Sequence, residues 1–158
     1  MNQKDISTVV EAVIKEIKSS EVKMNLILAR RLIHIVEKKA AEIGVNAVVA
    51  VSDAGARTVA VECMDDSYIA SYDIAVNKAY TCAALKMSTA TLKTLSQPGE
   101  SLYGIQFTNE GKIVIFGGGD PLVINGKVIG AIGVSGGTEE QDTFLSAYGA
   151  EKLCELIK

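Results

Sequence analysis

Apolar and polar positions first recur with a helical period and later gather into short strand-like runs. Over residues 5–18, Ile6, Val9, Val10, Val13, Ile14 and Ile17 fall within an arc of about 140° at 100° per residue, which predicts an amphipathic helix. Thr8, Glu11 and Lys15 take the opposite side, and Glu11 to Lys15 is a favourable i,i+4 pair. Asn2 and Asp5 are candidate caps, and Ser19-Ser20 reads as a hinge. Residues 1–20 therefore form a helix with its own linker, and residues 22–158 form the body. Such a helix either packs on the body or at a subunit interface, or docks its apolar face in another protein's groove as an address tag.

Val22 to Ile43 predicts a second helix, with Val22, Ala29, Leu32, Ile33, Val36, Ala40 and Ile43 as its core stripe. Met24, Leu28 and Ile35 make a second apolar strip, read as a subunit contact. Lys23, Ile27, Arg30, His34 and Lys38 lie on the far side. Gly44 ends the helix. Val45–Val51 is an apolar strand, Ser52-Asp53-Ala54-Gly55 a turn, and Thr58–Glu62 the partner strand. Asp65-Asp66-Ser67 caps a third helix reaching about Thr89, whose inner face is Ser71, Ala75, Ala79 and Cys82, flanked by Ile74 and Leu85. Residues 87–111 are polar and broken, consistent with short helix and loop. Three further runs follow: Ile113–Phe116 before the three glycines, a run from Pro121 to the Asn125-Gly126 turn, and Lys127–Val134. Glu139-Glu140-Gln141-Asp142 opens a last helix, with Phe144, Ala147, Ala150, Leu153, Cys154 and Ile157 expected inside. The sum is an α+β domain in three layers, with helices on both faces of a five-stranded, mainly antiparallel sheet. A parallel doubly wound sheet is disfavoured, because hairpin-like pairs lack crossover helices.

Composition narrows the classes. A chain of 158 residues with 48% hydrophobic and 22% charged residues suits one soluble domain, and 5% aromatics means an aliphatic core. Net charge of −3 without a basic run argues against nucleic acid as a partner. No apolar run approaches the roughly 18 residues needed to span a bilayer, and no secretion signal is present, so a cytoplasmic location is expected. Cys63, Cys82 and Cys154 are too few and too scattered for a disulfide framework or a zinc site.

Candidate chemistry is sparse. Gly117-Gly118-Gly119 and Ser135-Gly136-Gly137 bracket the last strands, and Gly130 and Gly133 interrupt the final one. Such glycines mark either tight packing or a binding rim of main-chain amides. No phosphate-loop or dinucleotide fingerprint fits them. Lys78 projects from the small inner face of the third helix. It either snorkels, pairs with a carboxylate such as Asp53, or faces a pocket. His34, the single histidine, is either a solvated side chain or an iron ligand whose neighbouring cations suit haem propionates.

Val-Ser-Asp-Ala-Gly at 51–55, Asn-Lys-Ala at 77–79, Gly-Gly-Gly-Asp-Pro at 117–121, Gly-Ala-Ile-Gly-Val-Ser-Gly-Gly at 130–137 and the later Asp142 occur in an informative order and spacing. Together they resemble the GlcG/HbpS-like family, which includes the C-terminal domain of PduO, over roughly residues 22–158. The resemblance implies a profilin-like fold, homo-oligomers that are often octamers, and haem or corrinoid (cobalamin-type) binding. It does not extend to PduO's adenosyltransferase domain. Many relatives read Asp-Ala-Gly-Gly-His where this chain has Asp53-Ala54-Gly55-Ala56-Arg57, which leaves His34 as the histidine available to haem iron. Residues 5–18 resemble the encapsulation peptides of bacterial microcompartment cargo.

Three functions follow as expectations. One is a non-catalytic haem- or corrinoid-binding accessory protein of a microcompartment with a cobalamin-dependent diol or ethanolamine pathway. Its ligand would meet Gly117, Gly118, Gly119, Asp120, Ser135, Gly136, Gly137, Lys78 and His34, with shell or cargo contacts through residues 5–18. Another is an enzyme on a small anionic metabolite or corrinoid, with Lys78 and Arg57 orienting the anion and Asp53 as acid or base. The last is a purely structural oligomeric assembly protein.

Overall fold

The computed structural model describes residues 3–20 and 22–157, with five α-helices and four strands. Helix α1 spans Gln3–Ser20, and every one of its described side chains is exposed, including Ile6, Val9, Val10, Val13, Ile14 and Ile17 at 45–54%. The helix continues through Ser19 and Ser20, where a hinge was expected, and the expected cap at Asn2 lies outside the described residues.

Helix α2 (Leu26–Glu42) starts at Asn25, whose side chain accepts from the Leu28 N–H. Strands β1 (Val48–Asp53) and β2 (Thr58–Cys63) form an antiparallel pair. Helix α3 (Ser71–Leu85) begins later than the Asp65–Ser67 signal suggests, with no side-chain cap, and ends where Lys86 turns left-handed at φ 55°. The short α4 (Thr89–Leu95) is capped by Ser88. Strands β3 (Gly119–Ile124) and β4 (Lys127–Ser135) are joined by Asn125-Gly126, both at positive φ as that hairpin turn demands. Helix α5 (Glu139–Leu156) opens on a capping box between Thr138 and Gln141.

The sheet order is β2-β1-β4-β3, antiparallel throughout. It therefore has four strands, one fewer than the sequence suggests. Residues 113–115 form no strand, and the bend over residues 116–118 separates them from the sheet. Pro121 lies in β3, an edge strand, where the missing N–H costs no ladder bond on the open side.

Alternation along β1 and β4 splits the core. Val49, Val51, Ile132 and Val134 pack with Leu32, Ile33 and Val36 of α2 and Leu145 and Leu153 of α5. Val48 and Ala50 face Ala75 and Ala79 of α3. Each large side chain removed from water contributes about 1.5–3 kcal/mol, so the α2/α5 layer supplies most of the apolar burial. The α3 layer is held by closeness. A Cβ on Gly133 would sit 2.1 Å from the Ala75 carbonyl oxygen, so glycine lets α3 lie almost against β4.

Two helix faces differ from expectation. Met24 and Leu28 belong to the core and not to an exposed second strip, because the segment before α2 folds over the sheet. On α5, Phe144 is 49% exposed and Cys154 is exposed, while Leu145, Ser146 and Gly149 face inward. The polar Ser146 and Asp142 on the buried face disguised its register.

Candidate functional site

Lys78, in the middle of α3, is fully buried and is held from two sides. Its Nζ donates to the Val134 carbonyl at 2.7 Å and to Asp142 Oδ2 at 3.0 Å. Asp142, in the first turn of α5, takes its other oxygen to the Gly137 N–H at 2.9 Å. The Phe116 ring covers the ammonium, 4.9 Å from its centroid. Burial pushes the Lys78 pKa down and the Asp142 pKa up, and each charge is the main counterweight for the other. The carboxylate partner is thus Asp142, across 64 residues of sequence, and not Asp53.

The glycines complete this arrangement. Gly118 has φ 111°, and a Cβ there would sit 2.5 Å from Lys78 Nζ and 2.8 Å from the Val134 carbonyl oxygen. Three amides of the expected binding rim are taken by the chain itself: Gly117 N donates to Glu139 Oε1, Gly119 N to Thr89 Oγ1, and Gly137 N to Asp142. The Gly117 N–H and then the Lys93 ammonium hold the Glu139 pKa below the usual glutamate range. Ser135 donates to Ser71 Oγ. Asp120 accepts from Ser146 Oγ at 2.6 Å, and burial raises its pKa.

Two clefts border the rim. One of about 290 Å³ is lined by Tyr68, Ile74, Phe116, Ser135 and Asp142 among others, and one of about 440 Å³ by Asn46, Asp66, Tyr68 and Gly136 among others. Among the described residues neither lining holds a lysine or arginine; the first holds Glu139 and Asp142 and the second Asp66. Of these carboxylates, Asp142 and Glu139 are paired with Lys78 and Lys93.

The remaining expected residues lie elsewhere. His34 is exposed on the outward face of α2, with Arg30, Arg31 and Lys38 within one turn, on the opposite side of the sheet from Lys78. Neither of those two clefts includes a residue of that face. Asp53 and Arg57 meet at the β1–β2 turn: Asp53 Oδ1 accepts from the Gly55 and Arg57 N–H groups, and Oδ2 from Arg57 Nε at 3.2 Å. Partial burial raises the Asp53 pKa, but these bonds outweigh it and leave the value below the usual aspartate range. Among the described residues, no group of three or more His, Cys, Asp or Glu side chains could hold a metal ion, and no helix is long and apolar enough to cross a membrane.

A four-stranded antiparallel sheet between α2/α5 and α3, locked by a lysine–aspartate pair beneath a glycine rim, defines a small α+β module of one structural class. The chain belongs to the HbpS-like family, described as haem degrading protein HbpS-like, whose model matches residues 24–151. It is 48% identical over 133 residues to an uncharacterized 15.0 kDa protein of the dhaT-dhaS intergenic region of Citrobacter freundii, covering 84% of this chain and 94% of that protein. It is 38% identical over 104 residues, 66% of this chain, to the corrinoid adenosyltransferase PduO of the same organism, and spans about 31% of that protein's length. Among solved structures, Klebsiella pneumoniae protein ORFY superposes with a TM-score of 0.81 at 44% identity, over 85% of this chain and 93% of that one. A PduOC:heme complex superposes with 0.79 at 33% identity, over 82% and 94%.

Lys78→Met leaves a buried, unpaired carboxylate and is expected to cost about 3–5 kcal/mol in urea unfolding. Adding Asp142→Asn removes that charge while keeping an acceptor for Gly137, so the double variant should be more stable than Lys78→Met alone. Strictly additive losses would contradict the pairing. Because the Glu139 pKa is lower in the folded state, its contribution is full above the unfolded value and is lost as pH falls through the folded one. Glu139→Gln should flatten the acid limb of stability against pH; an unaltered limb would count against that contact.

Proposed function

We propose that this chain is a non-catalytic accessory protein that binds haem or a corrinoid, with His34 as the residue that would ligate haem iron. The observation that carries the proposal is an exposed imidazole ringed by Arg30, Arg31 and Lys38, on a chain 33% identical to a domain solved with haem. The donor set fits: the His34 imidazole would ligate the iron, and Arg30 and Lys38 would suit the propionates. Arg31 also donates to the Leu156 carbonyl, which fixes it beside this face. When bound, haem supplies a redox-active iron; the residues of this chain hold and orient it. The rim residues Gly117–Gly119, Asp120 and Ser135–Gly137 are assigned to folding here, since the Gly117, Gly119 and Gly137 amides, the Ser135 hydroxyl and one Asp120 oxygen are already occupied.

A non-catalytic role is supported by the state of the possible acids and bases. Lys78 is fully buried, and both oxygens of Asp53 serve the β1–β2 turn. The family's haem-degrading description favours a second reading, an enzyme that breaks down a bound tetrapyrrole. The exposed apolar face of α1 supports residues 5–18 as a docking element for microcompartment shell or cargo proteins. Exposed Tyr68, Ile69, Tyr72 and Phe107 support self-association into a homo-oligomer.

Haemin titration should give a saturable Soret shift at one haem per subunit or per dimer, and His34→Ala should abolish it. A flat titration, or an unchanged shift in His34→Ala, would reject the ligand. Progressive bleaching of the bound Soret band would favour the degradative reading. Deleting residues 1–20 should leave haemin affinity intact and abolish co-purification with microcompartments; continued packaging would reject the docking role of α1.

A further inference from the structure

A third cleft, of about 380 Å³, opens at the β1–β2 turn and takes no part in the His34 face or the glycine rim. Its floor is apolar. Met24 and Ile129 are 7% and 4% exposed, and Val22 and Val128 flank them half-buried. Gly130 permits this closeness, since a Cβ there would meet the Ser52 carbonyl oxygen at 2.2 Å and Met24 Cβ at 3.4 Å.

The rim carries three cations from three separate elements: Lys23 ahead of α2, Arg57 at the β1–β2 turn and Lys127 at the head of β4. Among the described residues of the lining Asp53 is the only carboxylate, and the Gly55 and Arg57 amides and the Arg57 guanidinium occupy its oxygens. Lys23 and Lys127 enter none of the ion pairs found among the described residues. Positive charge is therefore in surplus over an apolar floor.

We propose that this cleft binds an anionic head group, carboxylate or phosphate ester, carried on a short apolar skeleton. The anion relieves repulsion among the three cations, and the skeleton covers the Met24–Ile129 floor at about 25 cal/mol per Å² of apolar surface buried. A bare inorganic anion satisfies only the first of these. The site does not depend on the tetrapyrrole reading: Lys23, grouped with His34 by helical period, lies ahead of α2 and lines this cleft, while His34, Arg30, Arg31 and Lys38 do not.

Isothermal titration of the full chain at low salt tests this with butyrate, butyl phosphate, inorganic phosphate and butanol as probes. Saturable binding is expected for at least one of the two amphiphilic anions, and the tighter one identifies the head group. Inorganic phosphate should bind more weakly and butanol not at all. Lys127→Ala, an exposed change, should weaken binding about tenfold, as should Arg57→Gln, whereas His34→Ala should leave it unchanged. No saturable binding of either amphiphilic anion, or full affinity in Lys127→Ala, would overturn the site. Inorganic phosphate binding as tightly as butyl phosphate would overturn the role of the apolar floor.

Discussion

The buried pair of Lys78 and Asp142 is the constraint around which this fold closes. It joins α3 to the first turn of α5 past the end of β4, and it takes the Val134 carbonyl as a third member. Two charges out of water are stable only when the remaining hydrogen-bonding positions are filled. That requirement reaches outward to the Gly137 amide, the Phe116 ring and the backbone at Gly118, where no side chain fits. The glycine clusters, the α5 start and the approach of α3 to the sheet are parts of one solution to that single cost.

This changes where function is sought. Glycine-lined strand ends suggest main-chain amides offered to a ligand, but here Glu139, Asp142 and Thr89 occupy them. Cationic surface lies instead on the outward face of α2 around His34 and at the β1–β2 turn around Arg57 and Lys127, and both places suit ligands with carboxylates. The chain belongs to the HbpS-like family and is similar to a PduOC:heme structure; the placement of a tetrapyrrole at the first of them is the proposal made above.

Much of the fold was legible in local pattern. The Asn125-Gly126 hairpin, the period of α1 and α2, and the small inner face of α3 each follow from nearest-neighbour physics, and each is present. The misses share a cause, since long-range partners decide them. Ile113–Phe116 has a strand's composition but forms no strand. The buried face of α5 carries Asp142 and Ser146, because Lys78 and Asp120 meet them from other elements, so its hydrophobic pattern misled. The need for a partner at Lys78 was readable from its position, but the identity of that partner, 64 residues away, was not. The commitment of the rim amides was equally hidden, because a free and a satisfied glycine N–H have the same sequence.

Amide hydrogen exchange of the full chain, with and without saturating haemin, separates the two sides of the sheet in one measurement. New protection over Arg30–Lys38 of α2, with residues 117–119 and 135–137 already slow and unchanged, is the result expected if the glycine rim serves the Lys78–Asp142 lock and the ligand sits at His34. Fast exchange of the rim amides in the free protein, slowed by haemin while α2 stays unaltered, would contradict both assignments.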